Sequence, residues 1–223
     1  IIARGYATAE FHYSDLAPDK DEDGFRRGGL GVFEPPRPAG GEGPGDAWGT
    51  VAAWAWGASR AVDYLKSDPA LAALPVAVIG HSRGGKAALW CGAQDERVDL
   101  TISNNSGSTG AALARTKRGE TVALINARFP HWFAENYRRY DDAEDRLPVD
   151  QHLLLALVAP RLVYVASASE DAWADPAAEF RSCVEATPAY ALLGVPGLAG
   201  GPVAPPVGEA RQDLAALQSE QAQ

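Results

Sequence analysis

The sequence predicts an α/β fold with a mainly parallel sheet, because strand-like apolar segments alternate with helix-like segments. Residues 76–79 and 161–168 are apolar runs rich in β-branched residues, which is typical of strands in a parallel sheet. Residues 48–66 have the apolar periodicity of a helix. With 223 residues and a 46% hydrophobic composition, the chain can bury the core of one domain. We expect that domain over residues 1–194 and an irregular Pro/Gly-rich tail with a polar end of helical composition over residues 195–223.

The first part of the chain predicts these elements. Residues 7–13 alternate well enough for a strand. Residues 15–44 are rich in Asp, Gly, Pro and Arg and predict a long surface loop. The helix over 48–66 carries tryptophans that we expect in the core rather than as a platform for a sugar ring. Residues 76–79 predict a buried strand, and residues 86–93 a helix.

The later elements continue the alternation. Residues 98–103 predict a strand, followed by a turn of small residues that opens a helix. Residues 119–140 predict a second loop-rich segment, and residues 153–158 a buried helix. Residues 161–168 predict a strand. After it, the pair Asp175-Pro176 has the pattern of an N-cap and first position of another helix.

Composition excludes several kinds of partner. A net charge of −9 argues against a nucleic-acid partner, and no apolar run is long enough to cross a membrane. Cys91 and Cys183 lack metal or redox spacing and are expected as small buried hydrophobes. The histidines lack the spacing of metal ligands, and no phosphate-binding glycine loop is present, so we expect neither a metal nor a cofactor. The chain contains no methionine and starts like the middle of a domain, so a signal peptide cannot be observed.

Residues 76–90, VAVIGHSRGGKAALW, present a serine as hydrolases present a nucleophile. Residues 80–84, GHSRG, fit G-x-S-x-G, the strand-to-helix turn called the nucleophile elbow. We expect glycines on both sides of Ser82 because this strained turn leaves no room for side chains. The start of the following helix supplies free backbone N–H groups and a dipole that favour developing negative charge. We therefore predict Ser82 as the nucleophile.

The position of a catalytic acid follows from chain order. In α/β hydrolases the triad occurs in the order Ser, acid, His, and the carboxyl end of the sheet gathers the three. Asp171 follows the strand at 161–168, where the acid is expected; Glu170 is its nearest alternative, and Asp171 also fits a loop-capping role. All four histidines precede Asp171: His12, His81, His131 and His152. We expect each of them to have a structural role and the catalytic base to lie outside this chain.

Three further residues fit ester chemistry near Ser82. An oxyanion forms when serine attacks an ester, and one well-placed donor there contributes about 3–4 kcal/mol. Arg83 is an apt donor because its guanidinium is always charged and forked. Lys86 lies four positions after Ser82 on the same helical face, although its position alone fits a solvated lysine better. Trp173 fits either sugar stacking or the core.

Several segments together resemble a known family. They are GHSRGGKAALW, AQDERVDLTISNNSGSTGAAL, RGETV, RFPHWF and LPVDQHLLLALVAPRLVYVASASEDAWADPAAEF, and they resemble bacterial glucuronoyl esterases of carbohydrate esterase family 15. The resemblance covers about residues 3–193. It implies an α/β-hydrolase fold with helices on both faces of the sheet, here incomplete at both ends. It further implies a monomeric, secreted or periplasmic serine esterase that cleaves 4-O-methyl-glucuronoyl esters between glucuronoxylan and lignin alcohols through an acyl-enzyme.

The resemblance also implies residue roles. Ser82 would be the nucleophile, Asp171 the triad acid, and Arg83 the oxyanion donor through its backbone N–H and guanidinium. The uronate pocket would be formed by Lys86, which would bind sugar hydroxyls, with Glu120 and Trp173. Some relatives carry a glutamate where this chain has Asn-Asn-Ser at 104–106, so the acid role falls to Asp171. Family members carry the catalytic histidine on a later loop, so residues 1–194 look like a partial catalytic domain from a gene fragment or a frameshift.

Other functions stay open. An acetylxylan esterase or general carboxylesterase would use the same scaffold, although Arg83, Lys86 and Glu120 form a polar set better suited to a uronate. A catalytically inactive pseudo-hydrolase would still bind glucuronoxylan through its pocket residues, Lys86, Glu120 and Trp173. A peptidase has no feature in its favour.

Overall fold

The computed structural model describes residues 2–19 and 45–198. In chain order, the helices and strands of these residues are α1 (Thr50–Ser67), β1 (Ala77–His81), α2 (Arg83–Gln94), β2 (Leu100–Asn104), α3 (Val122–Arg128), α4 (Gln151–Ala156), β3 (Leu162–Ala166) and α5 (Pro176–Leu192). Short 3-10 helices occur at Ile2–Arg4, Tyr13–Asp15, Ala114–Thr116, Glu135–Tyr140 and Glu144–Arg146. The predicted alternation of strands and helices is confirmed.

The three described strands form one parallel sheet in the order β1-β2-β3. Val78 of β1 pairs with Thr101 of β2, which pairs with Val163 of β3. Since α2 connects β1 to β2 and the excursion with α3 and α4 connects β2 to β3, the carboxyl ends of all three strands reach the same edge of the sheet. The α/β class and the parallel sheet are confirmed.

In the described residues, helices cover one face of the sheet. Helix α2 packs closely on β2, because a Cβ at Gly85 would lie 3.1 Å from Ser103 Oγ. Val163 and Val165 of β3 pack on the same side against α4 and α5. On the opposite face, Ile79 is 71% exposed and Tyr164 is 41% exposed. The expectation that β1 is buried is therefore wrong for these residues, since no described element covers that face.

Helix α1 anchors the tryptophan core that the sequence predicts. Trp54 is 1% exposed, and its indole Nε1 donates to the carbonyl of Ala17 at 2.8 Å. It also makes an edge contact with Trp132, with ring centroids 6.1 Å apart. Trp48 is partly exposed at 38%. The assignment of the α1 tryptophans to the core is confirmed for Trp54.

Three predicted segments differ from the structure. Residues 7–13 form no strand and are exposed as far as His12, since no neighbouring strand in the described residues pairs with them. The turn after β2 leads to a single 3-10 turn, Ala114–Thr116, instead of an α-helix. The loop-rich segment 119–140 contains α3, whose N-cap Thr121 accepts a hydrogen bond from Leu124 N. Most of residues 15–44 and 195–223 lie outside the described residues.

The last two helices follow their sequence signals in part. In α4 and its C-terminal turn, Leu155 and Val158 are buried, whereas Leu153 and Leu157 are exposed, so this segment is amphipathic and not fully buried. Helix α5 begins as predicted, with Asp175 accepting from Ala178 N at 3.2 Å. In the described ranges, no helix combines the length and the hydrophobicity needed to cross a membrane. Both cysteines are free thiols; Cys91 is buried and Cys183 is half-buried.

Candidate active site

Ser82 occupies the sharp turn between β1 and α2. Its backbone has φ 53° and ψ −121°, a conformation that residues other than glycine rarely adopt. The turn is held because the Ser82 N–H donates to Asn104 O at 2.8 Å, while the Ser82 carbonyl accepts from Lys86 N at 3.1 Å. The predicted elbow geometry, a strand, a strained serine and a helix, is thus present.

The glycines around Ser82 differ in what they allow. A Cβ at Gly80 would overlap the carbonyl of Gly84, so only glycine fits there. A Cβ at Gly84 would meet nothing within 4 Å. The expectation that both flanks of Ser82 lack room is therefore correct for Gly80 and wrong for Gly84. At Gly85, a Cβ would approach Ser106 Cβ to 3.0 Å, so the close packing falls one residue later.

A cavity of about 270 Å³ opens beside Ser82. It is lined by all six residues singled out from the sequence: Ser82, Arg83, Lys86, Glu120, Asp171 and Trp173. Asn105, Arg128, Phe129 and Trp132 also line it, whereas Glu170 does not. A concave site with convergent polar groups and an aromatic rim is suited to binding a small polar ligand such as a sugar ring.

Asp171 is held from two sides in the loop after β3. Its Oδ2 accepts from Asn105 Nδ2 at 2.8 Å, and its Oδ1 accepts from Ala174 N at 3.1 Å. The Asn105 hydrogen bond is the main reason why the pKa of Asp171 lies below its usual value. Asn105 itself has φ 46°, and its Oδ1 accepts from Ala168 N at 3.0 Å. In the sequence this loop is distinguished by its missing charge, and no pattern there marks Asn105 as a partner of Asp171.

Arg83 presents two kinds of donor next to Ser82. Its backbone N–H is at the first position of α2, where a helix offers no acceptor of its own. Its guanidinium lies 4.9 Å from the ring centroid of Trp132 and 5.3 Å from that of Phe129. The Nη1 atom also donates to Asp19, a residue that the sequence analysis did not single out.

Lys86 is buried, so the alternative of a solvated lysine is wrong. Its Nζ donates to the carbonyls of Ser106, at 2.6 Å, and Ser108, and to Glu120 Oε2 at 3.1 Å. An ammonium group has three donors, so these acceptors engage all of them. Burial lowers the pKa of Lys86, while the charge of Glu120 opposes that effect. A sugar hydroxyl bound by Lys86, as the resemblance implies, would have to replace one of these acceptors.

Glu120 and Trp173 complete the lining of the cavity. Glu120 is 7% exposed, and its backbone N–H donates to the carbonyl of Trp173 at 3.0 Å. Trp173 is 45% exposed, so the alternative that it belongs to the core is wrong. An exposed indole at the rim of a polar cavity is the arrangement that sugar stacking requires.

Glu179 of α5 is a further residue that the sequence did not reveal. It is fully buried and accepts from Gly107 N at 2.8 Å, from Ser106 Oγ at 3.1 Å and from Ser167 Oγ. Burial raises the pKa of Glu179, and these hydrogen bonds offset part of that rise. A glutamate in the first turn of a helix is usually solvated, so its sequence context gives no signal of burial.

The four histidines all lie in the described part of the chain, and among them His81 alone lines the cavity. Its Nδ1 is 3.4 Å from Asn104 Oδ1. His131 Nε2 is bound to Asp19 at 2.9 Å, and His152 Nδ1 is 3.9 Å from Glu185 Oε2. His12 stacks on a neighbouring tyrosine. Residues 2–19 and 45–198 contain no group of three His, Cys, Asp or Glu residues that could hold a metal ion.

The parallel sheet, the strained serine between β1 and α2 and the carboxylate after β3 define the class of α/β hydrolases. Residues 41–194 match the family described as "Glucuronyl esterase, fungi". The chain belongs to the glucuronoyl esterase family.

Relatives are similar over most of this chain. A carbohydrate esterase from an unknown prokaryotic organism is 48% identical over 201 residues, which are 88% of this chain and 45% of that protein. A 4-O-methyl-glucuronoyl methylesterase from Schizophyllum commune is 37% identical over 157 residues, 66% of this chain and 39% of that protein. The solved structure of a glucuronoyl esterase from Solibacter usitatus has a TM-score of 0.83 and 46% identity, and the match covers 90% of this chain and 50% of that one. The chain thus spans about half the length of these relatives, or less.

Proposed function

We propose that the protein is a serine esterase that hydrolyses 4-O-methyl-glucuronoyl esters between glucuronoxylan and lignin alcohols. The observation that carries the proposal is the strained Ser82 in one cavity with the Asp171 carboxylate and the buried Lys86–Glu120 pair. The names of the relatives support the same chemistry, since they are carbohydrate and glucuronoyl esterases.

The proposed reaction begins with attack of Ser82 Oγ on the ester carbonyl. A base must take the serine proton, and we infer that a histidine outside this chain does so, held by Asp171 in the required tautomer. The oxyanion that forms lies next to Arg83, whose backbone N–H and guanidinium are the candidate donors. The alcohol then leaves with a proton from the same base, and water hydrolyses the glucuronoyl-serine ester.

The uronate ring is proposed to bind between Trp173 and the Lys86–Glu120 pair. Trp173 offers its exposed indole to the apolar face of the sugar. The buried ion pair offers Glu120 as a hydroxyl acceptor at the cavity wall. A substrate that is part of an insoluble polymer must be reached outside the cytoplasm, so we infer a secreted or periplasmic enzyme.

The first experiment measures hydrolysis of benzyl and methyl glucuronate esters. It uses this chain and, if sequencing the gene across both ends reveals a longer reading frame, the protein encoded by that frame. Ser82→Ala is expected to abolish turnover, whereas Ser67→Ala, at an exposed hydroxyl at the end of α1, is expected to leave it unchanged. Comparable activity in Ser82→Ala would contradict the assignment of the nucleophile.

The same assay distinguishes the other functions. Faster turnover of acetylated xylan than of glucuronate esters would favour an acetylxylan or general carboxylesterase. If both forms hydrolyse no ester but bind glucuronoxylan, and Lys86→Ala removes that binding, the protein is a carbohydrate-binding pseudo-hydrolase.

A further inference from the structure

Asp19 joins three side chains at the edge of the candidate active site. Its Oδ2 accepts from Arg83 Nη1, and its Oδ1 accepts from Trp132 Nε1 at 2.8 Å and faces His131 Nε2 at 2.9 Å. The Asp19 side chain is 13% exposed, so these contacts are largely shielded from water. We propose that Asp19 is a positioning residue that holds the Arg83 guanidinium beside Ser82, a role that rests on the proposed esterase function.

The guanidinium needs such an anchor because an arginine side chain is long and Arg83 is one-third exposed. The guanidinium also lies within cation–π distance of the rings of Trp132 and Phe129. These contacts do not select one orientation of the guanidinium, and the Asp19 carboxylate restricts its rotation by binding one nitrogen. In the described residues the contact with Asp19 engages Nη1, so the other donors of the fork remain for an oxyanion.

Asp19 is well suited to hold a cation permanently. Burial acts to raise the pKa of its carboxyl group, but the hydrogen bonds from Trp132 and His131 and the charge of Arg83 outweigh burial and lower the pKa. The group is therefore ionised wherever an esterase with a histidine base would work. His131 binds Asp19 through its Nε2 atom, so its role in the structure is to hold this carboxylate.

The segment that carries Asp19 is itself fixed to the core. Ala17 is fully buried, and its carbonyl accepts from the indole of Trp54 in α1 at 2.8 Å. Trp54 packs in turn against Trp132, which donates to Asp19. This closed set of contacts sets the position of a carboxylate that is 64 residues away from Arg83 in sequence.

A double-mutant cycle tests the proposal with Asp19→Asn, Arg83→Ala and the two combined. Asp19→Asn is expected to lower kcat for a glucuronate ester about tenfold with KM within about twofold, because it loosens a group that acts on the transition state. In the Arg83→Ala background the same change is expected to have no further effect on kcat. Asp19→Glu should restore part of the loss. Asp63→Asn is the matched control, since Asp63 pairs with Arg97 on the surface of α1 and should leave kcat unchanged.

Equal losses of kcat on removing Asp19 with and without Arg83 would overturn the proposal, because Asp19 would then act only on the fold. Running the cycle with p-nitrophenyl acetate as well separates this outcome from a wrong substrate assignment, since oxyanion stabilisation is common to all esters. If no ester is hydrolysed, nitrogen-15 NMR of the Arg83 guanidinium decides. Restricted rotation that is lost in Asp19→Asn supports the proposal, and identical spectra overturn it.

Discussion

At the residue scale, the side-chain amide of Asn105 orients the Asp171 carboxylate. Asn105 donates to one oxygen of Asp171 and at the same time accepts from the backbone of Ala168, so it connects the loops after β2 and β3. A histidine base bound to the free side of this carboxylate would be held in a fixed orientation. In the proposed mechanism, Asn105 thus helps to orient the triad acid although it carries no charge.

Asn105→Ala is expected to raise the pKa of Asp171 towards its ordinary value, because it removes the largest cause of the lowered pKa. A carboxyl group with a lowered pKa contributes stability above its unfolded pKa and loses it as the pH falls through its folded pKa. In the variant this contribution should be smaller and its loss should be complete at a higher pH, and kcat should fall about tenfold. Carbon-13 NMR titration of Asp171 and pH–rate profiles measure both effects.

The matched control for this prediction is Asn136→Ala, which removes an amide that does not line the cavity. An unchanged Asp171 titration in Asn105→Ala would show that the hydrogen bond between the two side chains does not set the pKa of Asp171.

At the element scale, α5 binds the two loops that carry Asn105 and Asp171. Its buried Glu179 binds Ser106 and Gly107 in the loop after β2 and Ser167 in the loop after β3. These are the loops that carry Asn105 and Asp171. The helix therefore fixes the separation of the two loops, although Glu179 does not line the cavity.

Glu179→Gln is expected to fold and to show a smaller decrease of stability with rising pH than the wild type. The folded-state pKa of Glu179 is raised, so its contribution is most favourable below its unfolded pKa and is lost as the pH rises through the folded pKa. Glu179→Ala is expected to cost about 2–3 kcal/mol, because the Gly107 N–H and two hydroxyls lose their acceptor. Urea unfolding between pH 5 and pH 8 measures both quantities.

Glu185→Gln, on the partly exposed side of the same helix, is the control for that series. Parallel pH profiles for the wild type and Glu179→Gln would contradict the account of Glu179.

Periodicity was sufficient to predict the main elements, and its failures have physical causes. Residues 48–66 carry a long apolar stripe and predict α1 well, whereas residues 7–13 alternate without a described strand to pair with. The short helix α3 was missed because seven residues give too little pattern. For the site, Ser82 and Asp171 follow from their places at strand ends. Asp19, which binds a histidine 112 residues away, depends on tertiary packing that no local pattern encodes.

At the scale of the whole molecule, the sheet has unequal faces. One face packs against helices, while Ile79 and Tyr164 on the other face are exposed over the described residues. Neighbouring strands place these two side chains in register with Ile102 between them. They therefore form a continuous apolar strip across the three strands, unlike a scattered set of exposed residues.

This strip is expected to bind an apolar dye such as ANS when the 223-residue chain is studied alone. Ile79→Lys should lower the dye fluorescence at least twofold, since it replaces the most exposed apolar side chain of the strip with a charge. Tyr64→Lys, which changes an equally exposed residue on α1, should leave the fluorescence unchanged. Equal fluorescence in the wild type and Ile79→Lys would mean that the strip is covered in solution.

The backbone conformation of Ser82 affects whether a serine is kept at this position during evolution. A residue other than glycine at φ 53° and ψ −121° costs about 1–3 kcal/mol of folding free energy. Replacing Ser82 by glycine would remove that cost, but it would also remove the hydroxyl. Random drift under selection for stability alone would therefore tend to erase the serine. Selection for the hydroxyl is therefore needed to keep a serine at this strained position.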